Sequence, residues 1–492
     1  MKISKSLPFL IALLFFVSSA YGMQNENFPI CEKQLDEFNR PVYKYKVRDR
    51  SSTDQEFKGM DITSRAGELS NLLGEDIYVV DSLVVRGDLD ETDIHTLWDA
   101  SLNGVLSVID LKEAEIKNGI IPQDAFFHQD VQLDPSGEYI NTICLRKIIL
   151  PDGVKRIEEG AFMYAVNLEE INIPSSLQYL GKYAYSYCVH LQTSPLVFPE
   201  GFEQVDVFAF ENCKDLTGEI IFPSTLREIS NCAFFSAKIS SVVLPEGLER
   251  IGDSVFYGCR LREVWIPNSC QILGDNLFSL NPDLEKLHLP EGLEYIPNSF
   301  TSACLKLREI NIPSSVRRIG FQAFRHCSSL KNIELPDGLE AVERQAFLNC
   351  DSLEQLAFPT TLKSLGMECC MDLKGIKRIY CMAPEPPICY ESNQIIGRTP
   401  FGDLDHSGSI TTPFVIPVFV PVGTAEKYRN AWGWNYFDNI LETEDFPSSI
   451  NDITTEQPDS NSAIYDLSGR KVDHPQDGQI YIINGKKVFF VR

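Results

Sequence analysis

A strand-rich solenoid of stacked coils is the fold this sequence predicts, and three observations predict it. Prolines recur at positions 151, 174, 199, 223, 245, 267, 290, 313, 336 and 359, an interval of 22 to 25 residues. Each closes a short apolar run, as at Ile333-Glu334-Leu335-Pro336. An aromatic follows at a fixed distance: Phe162, Tyr185, Phe210, Phe234, Phe256, Phe278, Phe324 and Phe347 each lie 11 residues after their proline. A period held that tightly marks a repeat architecture before any local reading.

The unit from Pro313 to Leu335 shows the physical plan. Leu330, Ile333 and Leu335 predict a strand, with Ile333 and Leu335 on one face and Asn332 and Glu334 on the other. Proline cannot donate to a ladder, so each strand ends there. Val316 and Ile319 begin a second short apolar segment, Gly320 reads as a turn, and Ala323-Phe324 is a small-plus-large pair that fills the interior. One unit cannot bury its apolar side alone; coils stacked at about 4.8 Å can. Phe300 lies 10 residues after Pro290, so that coil is expected to have lost one residue. Cys370 takes the aromatic's place in the last coil, the decay expected of a terminal repeat.

Residues 1–22 read as a secretory signal: Lys2 and Lys5, an apolar run from Leu7 to Val17, then Ala20-Tyr21-Gly22. Residues 23–59 form a lead without clear period. Residues 60–143 read as longer capping repeats. Thr63 or Ser64 is expected to cap a helix carrying Leu69, Leu72 and Leu73 that Gly74 stops. A strand follows through Leu83 and Val85, then a helix with Ile94, Leu97, Trp98 and Leu102, then a strand with Leu106, Ile109 and Leu111. Ile121 to Phe126 is a divergent unit, with a loop expected in 128–142 around Asp134-Pro135-Ser136-Gly137. Residues 144–390 hold the regular repeats, which are expected to stop after Pro384.

Residues 391–442 read as a C-terminal cap. Val415 to Val420 is expected as an edge strand because it contains Pro417, Thr424 as the cap of a short helix, and Trp432, Trp434 and Phe437 as the cover of the last coil. Residues 443–461 read as a linker. Residues 462–492 read as a small β module, with Asn484-Gly485 as a hairpin turn.

The chain has 492 residues and a net charge of −25, which disfavours nucleic acid and anionic membrane surfaces as partners. No later segment is long and apolar enough for a membrane span. Cys188, Cys213, Cys259, Cys327 and Cys350 each sit three residues after the coil's aromatic, which predicts buried free thiols rather than a disulfide framework. Cys369, Cys370, Cys381 and Cys389 are less regular and leave room for a pair.

The signature I-x-I-P-x-x-L-x-x-I-G-x-x-A-F-x-x-C resembles the BspA-type leucine-rich repeat of bacterial surface proteins, over roughly residues 60 to 442. The resemblance implies an α/β, strand-rich, right-handed leucine-rich repeat solenoid with a parallel sheet on its concave face. It implies adhesion to a host or matrix protein, or to a glycan. The tail IYDLSGRKV…GQIYIINGKKVFFVR resembles the C-terminal sorting tails of type IX secretion.

No nucleotide-binding, nucleophile-elbow or HExxH motif is present. Asp403, Asp405, Ser407 and Gly408 match the start of a calcium loop, but its twelfth position is Phe414 where a bidentate glutamate is needed. His326-Cys327 and Cys188…His190 look like metal pairs, yet their cysteines belong to the structural column. No cofactor, metal or catalytic residue is therefore expected, and an enzyme is the weakest reading. A binding protein is the first reading and a structural spacer the second.

Binding residues follow from strand alternation. The residue two before each proline points away from the interior. That column contains Val197, Ile221, Val243, Trp265 and His288 in consecutive coils. Four large apolar residues and a histidine side by side, with Glu219 and Glu263 beside them, predict a surface for a protein or glycan partner.

Overall fold

The computed structural model describes residues 58–127, 143–390, 399–402 and 414–447. Outside these it describes short strands: Lys33–Leu35, Pro41–Tyr43, Gln132–Leu133, Tyr139–Ile140, Ile464–Tyr465, Ile480–Ile483 and Lys486–Phe489. The expected secretory signal, most of the lead, the body of the 128–142 loop, the calcium-like Asp403–Gly408 stretch, the expected linker from 448 and the turn at 484–485 lie outside the described residues. The chain divides into two units, Met1–Glu56 and Phe57–Arg492. The first contributes one antiparallel pair, Lys33–Leu35 with Pro41–Tyr43.

In the second unit the coils stack as a parallel-strand β-solenoid. The strand ahead of each proline pairs with its counterpart one coil on. Lys147–Ile149 lies between Val108–Asp110 and Glu170–Ile171. Glu219–Ile221 lies between Leu196–Val197 and Ser241–Val243. Lys286–His288 lies between Glu263–Trp265 and Glu309–Ile310. The second apolar segment of the unit forms a second parallel ladder that the sequence pattern did not reveal. It runs in register from Ile120–Ile121 to Ile272–Leu273, and again from Tyr295–Ile296 to Ile388–Cys389. These strands are two residues each, too short to show alternation.

A third set of inter-coil bonds lies in the turns. Gln322, Phe324 and His326 donate their backbone N–H groups to the carbonyls of Arg344, Ala346 and Leu348, at 3.0, 2.8 and 2.8 Å. The first and third of these donors are left-handed, with Gln322 at φ 55° and His326 at 59°. A left-handed non-glycine residue costs about 1 kcal/mol. Three donors per turn reaching the next coil offset that cost and leave few buried amides unpaired.

Inside the coils the aromatics form one column. Phe126, Phe162, Tyr185, Phe210, Phe234, Phe256 and Phe278 stack ring on ring, with the first pair 5.1 Å apart and the last 5.8 Å apart. All seven are fully buried. The spacing follows that of paired strands plus the ring offset.

The coil after Pro290 corrects the sequence reading. It has not lost a residue. Phe278 donates to the Phe300 carbonyl where Phe162, Tyr185, Phe210 and Phe324 meet an alanine, and Thr301 donates to the Ala323 carbonyl as an aromatic would. The small-plus-large order is inverted. Phe300 fills the interior from the alanine position and meets Phe278 edge-on, at 84°. The Thr301 hydroxyl, buried in the aromatic's place, donates to the Ala323 carbonyl at 3.1 Å.

The cysteine column is buried and free of disulfides. Each thiol donates to a carbonyl of the preceding coil: Cys188 to Phe162 at 3.1 Å, Cys213 to Tyr185 at 3.2 Å, Cys350 to Phe324 at 3.1 Å. Cys304 and Asn281 occupy the same column and make the same bond, to Phe278 and Phe256. Burial pushes these thiols up, to about 12 at Cys327, so they stay protonated donors. The sulfurs of Cys369 and Cys370 lie 3.7 Å apart, and no disulfide joins any two of Cys369, Cys370, Cys381 and Cys389.

Both ends depart from expectation. Thr63 and Ser64 lie in the strand Lys58–Ser64, and the helix Leu69–Leu73 starts after Glu68, with Leu72 exposed. The helix Glu91–Leu102 begins with a capping box made by Asp90 and Asp93. At the other end, parallel pairing runs on past Pro384. Pro417–Pro421 lies between Arg378–Cys381 and Asn439–Thr443, so it is an interior strand and not an edge. Pro417 is its first residue, where a missing N–H is tolerated. Cys370 donates to the Pro400 carbonyl, which puts Phe401 one coil beyond it in the aromatic column. Trp434 and Phe437 are buried against Phe401, at 5.1 and 4.9 Å, while Trp432 is only partly buried. In the tail, Ile480–Ile483 and Lys486–Phe489 pair antiparallel with Ile483 opposite Lys486.

Two substitutions test the interior. Phe324→Ala should cost roughly 3–5 kcal/mol, the range for emptying a packed aromatic site. A loss under about 1 kcal/mol in denaturant unfolding would contradict its place in the column. The Tyr185 hydroxyl is buried without a hydrogen-bond partner. Tyr185→Phe should therefore leave stability unchanged or raise it by about 1 kcal/mol, and a clear loss would show a partner.

Candidate binding surface

Alternation along each strand decides which side chains face out. Leu196, Ile220, Val242, Val264 and Leu287 are buried in the interior. Their neighbours Val197, Ile221, Val243, Trp265 and His288 face the other way. Val197 stands opposite Ile221, Ile221 opposite Val243, and Trp265 opposite His288. The strands of Val243 and Trp265 are neighbours without a hydrogen-bonded ladder between them. All five predicted residues therefore share one surface. Val197 and Val243 are 48% and 46% exposed, while Ile221, Trp265 and His288 are partly buried.

The aromatic end is tightly built. Trp265 lies flat on His288, with ring centres 3.3 Å apart and planes 8° apart. The indole Nε1 donates to Glu263 Oε1 at 3.0 Å. Strand alternation places Glu263 two residues before Trp265, on the same face. His288 Nε2 has no hydrogen-bond partner, and the same Glu263 oxygen, at 3.5 Å, is too far for a good bond. Burial, and then the Lys286 ammonium, hold the His288 pKa down at about 4. Glu263 would favour an imidazolium, but burial outweighs it. Further along, Ser241 donates to Glu219 at 3.2 Å, which leaves the rim acidic.

The outward column also continues where the sequence reading ended. Ala357 stands opposite Tyr380, Tyr380 opposite Phe419, and Phe419 opposite Leu441. Tyr380 and Phe419 stack 5.0 Å apart, and Phe446 meets Tyr380 edge-on at 6.2 Å. Met382 stands where the marking proline would be, which hides Tyr380. Phe419 lies two before Pro421 and was legible by the same rule.

No group of histidine, cysteine or carboxylate side chains fit to hold a metal occurs among the described residues. His190 Nδ1 lies 3.0 Å from Asp215, and the Cys188 thiol is committed to the Phe162 carbonyl, so the two do not converge.

The sequence model of the BspA type leucine rich repeat region matches residues 135–235, 205–320 and 296–385, together about half of the chain. The protein belongs to this family. A leucine-rich repeat protein from Bacteroides ovatus is 23% identical, with a TM-score of 0.47, over 61% of this chain and 78% of that one. A leucine rich cell surface protein from Faecalibacterium prausnitzii is 20% identical, with a TM-score of 0.33, over 49% and 79%. A leucine-rich repeat protein from Eubacterium ventriosum is 15% identical, with a TM-score of 0.37, over 68% and 93%. No protein of curated description matches this chain.

The depressed His288 pKa fixes a pH dependence. The folded form holds the imidazole neutral, while the unfolded chain takes up a proton near pH 6.5. His288 therefore contributes stability above pH 6.5 that is lost as pH falls toward 4. His288→Gln should flatten the stability profile in that window. A His288 imidazole that titrates near 6.5 by NMR in the folded protein would contradict the burial.

Proposed function

We propose that this leucine-rich repeat protein is an exported binding protein that recognises a protein partner through Val197, Ile221, Val243, Trp265 and His288. The observation that carries the reading is the lateral run of large apolar side chains on neighbouring parallel strands, two of them nearly half exposed. Contiguous apolar surface is seldom left exposed without a use, and tryptophan is enriched among binding hot spots.

The stack geometry favours a protein over a glycan. A sugar recognised by stacking needs an open ring face. One face of Trp265 is covered by His288, and the strand of Val243 stands on the other side. The column offers ring edges and branched aliphatic groups, which suit apolar side chains. Glu219 and Glu263 suit basic residues at the partner's rim. In this reading the surface is the concave face of a right-handed solenoid, as the family resemblance implies. The reading needs no chemistry beyond recognition.

Export is supported by the signal-like residues 1–22, and no described helix is long and apolar enough to cross a membrane. Residues 462–492 are the proposed type IX sorting tail, which would place the protein at the cell surface.

Protein and glycan arrays probed with the secreted chain test the partner class. Trp265→Ala should weaken protein capture by about 2 kcal/mol or more while the chain stays folded. Hits confined to glycans, or full binding by the variant, would remove this surface. Deleting residues 462–492 should strand a folded protein in the periplasm, and normal surface delivery of the truncated chain would end the sorting reading.

A further inference from the structure

Between the aromatic and the next strand, the coils that begin at Pro223, Pro245 and Pro267 leave a depression. Its cause is visible in one column. Two residues after the aromatic the backbone is left-handed, and this position holds Tyr164, Tyr187 and Asn212, at φ 59°, 59° and 56°. It then shrinks to Ser236 and Gly258 before Leu280 closes it. A cavity of about 240 Å³ opens there, lined by Ser236, Lys238, Tyr257, Gly258, Arg260 and Leu280, among others.

The walls are chemically distinct. Four residues after the aromatic the chain places Lys214, Lys238 and Arg260 in consecutive coils, where earlier coils carry Val166 and Val189 and later ones Pro282 and Leu305. Lys238 is partly buried, and its Nζ donates to the Gly258 carbonyl at 3.2 Å. Among the described residues no carboxylate lies within ion-pair distance of it. Arg260 reaches Asp283 at 3.2 Å. Burial, followed by the charges of Arg260 and Lys214, lowers the Lys238 pKa, as befits a cation short of negative charge. Such crowding of cations stands out in a chain of net charge −25. On the other wall Tyr257 stacks on Phe235, 4.7 Å apart and 2° from parallel. The next coil has Ser279 in that column, so the ring stack ends at Tyr257. Leu280 beside it is 45% exposed.

We propose that this cavity binds an acidic sugar unit, with Lys238 and Arg260 on its carboxylate or sulfate and Tyr257 and Leu280 against its body. The site is separate from the apolar column, and its test does not depend on that surface.

Isothermal titration of the whole chain with glucuronate, glucose 6-sulfate, glucose and inorganic sulfate tests the assignment. At least one of the two acidic sugars should bind saturably, and which one does so tells carboxylate from sulfate. Glucose and inorganic sulfate should each bind roughly tenfold more weakly or not at all. Lys238→Ala should weaken the acidic sugar by roughly tenfold. Ser236→Tyr fills the cavity with the side chain that Tyr164 and Tyr187 carry on the same backbone, and should abolish binding at an unchanged thermal midpoint. No saturation by either acidic sugar, or undiminished binding by Ser236→Tyr, overturns the site. Glucose bound as tightly overturns the role of the cations, and inorganic sulfate bound as tightly overturns the sugar-sized ligand.

Discussion

A single coil of this chain has nowhere of its own to hide Phe324 and its counterparts, and everything else follows from that. The rings are buried only because the next coil lies about one strand spacing away. Once the coils are held at that distance, the other contacts fall into columns. The strand before the proline and the two-residue segment after it pair with their counterparts. Left-handed turns donate to the next coil's carbonyls, and the buried thiols reach back to the coil before. Each column repeats the ring spacing, so local choices and the global stack agree.

The same stacking shapes the outward surface. Side chains on one strand face land beside their counterparts and not above them, so a run of apolar residues in sequence becomes a run in space. Val197, Ile221 and Val243 are joined this way by backbone register alone. At Trp265 the spacing goes further and brings the indole flat onto His288. The histidine is then desolvated by its neighbour, which is why it stays neutral where an exposed imidazole would begin to charge.

Period, aromatic register and facing direction were all legible in the sequence, because each depends on spacing. Leu196 buried and Val197 exposed is the alternation rule at work. What escaped has identifiable causes. Arg318–Ile319 is too short a strand to alternate, so its ladder left no pattern. Phe300 was located by counting from a proline, which finds the ring but not the backbone position beneath it. Thr301 holds that position instead. Tyr380 was hidden because Met382 replaced the marking proline, and Pro417 suggested an edge although a first-residue proline removes no needed donor. The stacking of Trp265 on His288 could not be read because alternation gives the side a residue faces and not its rotamer. The Lys238 cavity needed the three-dimensional column before the shrinking of one position from tyrosine to glycine had meaning.

The thiol column has a consequence for how such a chain changes over generations. Its cysteines bond only backbone carbonyls one coil away, and no described pair is joined covalently. Asn281 can stand in the same column and do the same task. Among the described residues no coil is tied to a distant one by a disulfide that duplication would have to copy in pairs. Whole coils can therefore be gained or lost by recombination at the DNA level without leaving an orphaned half of a crosslink. The protein's reach becomes a heritable quantity that varies in steps of one repeat.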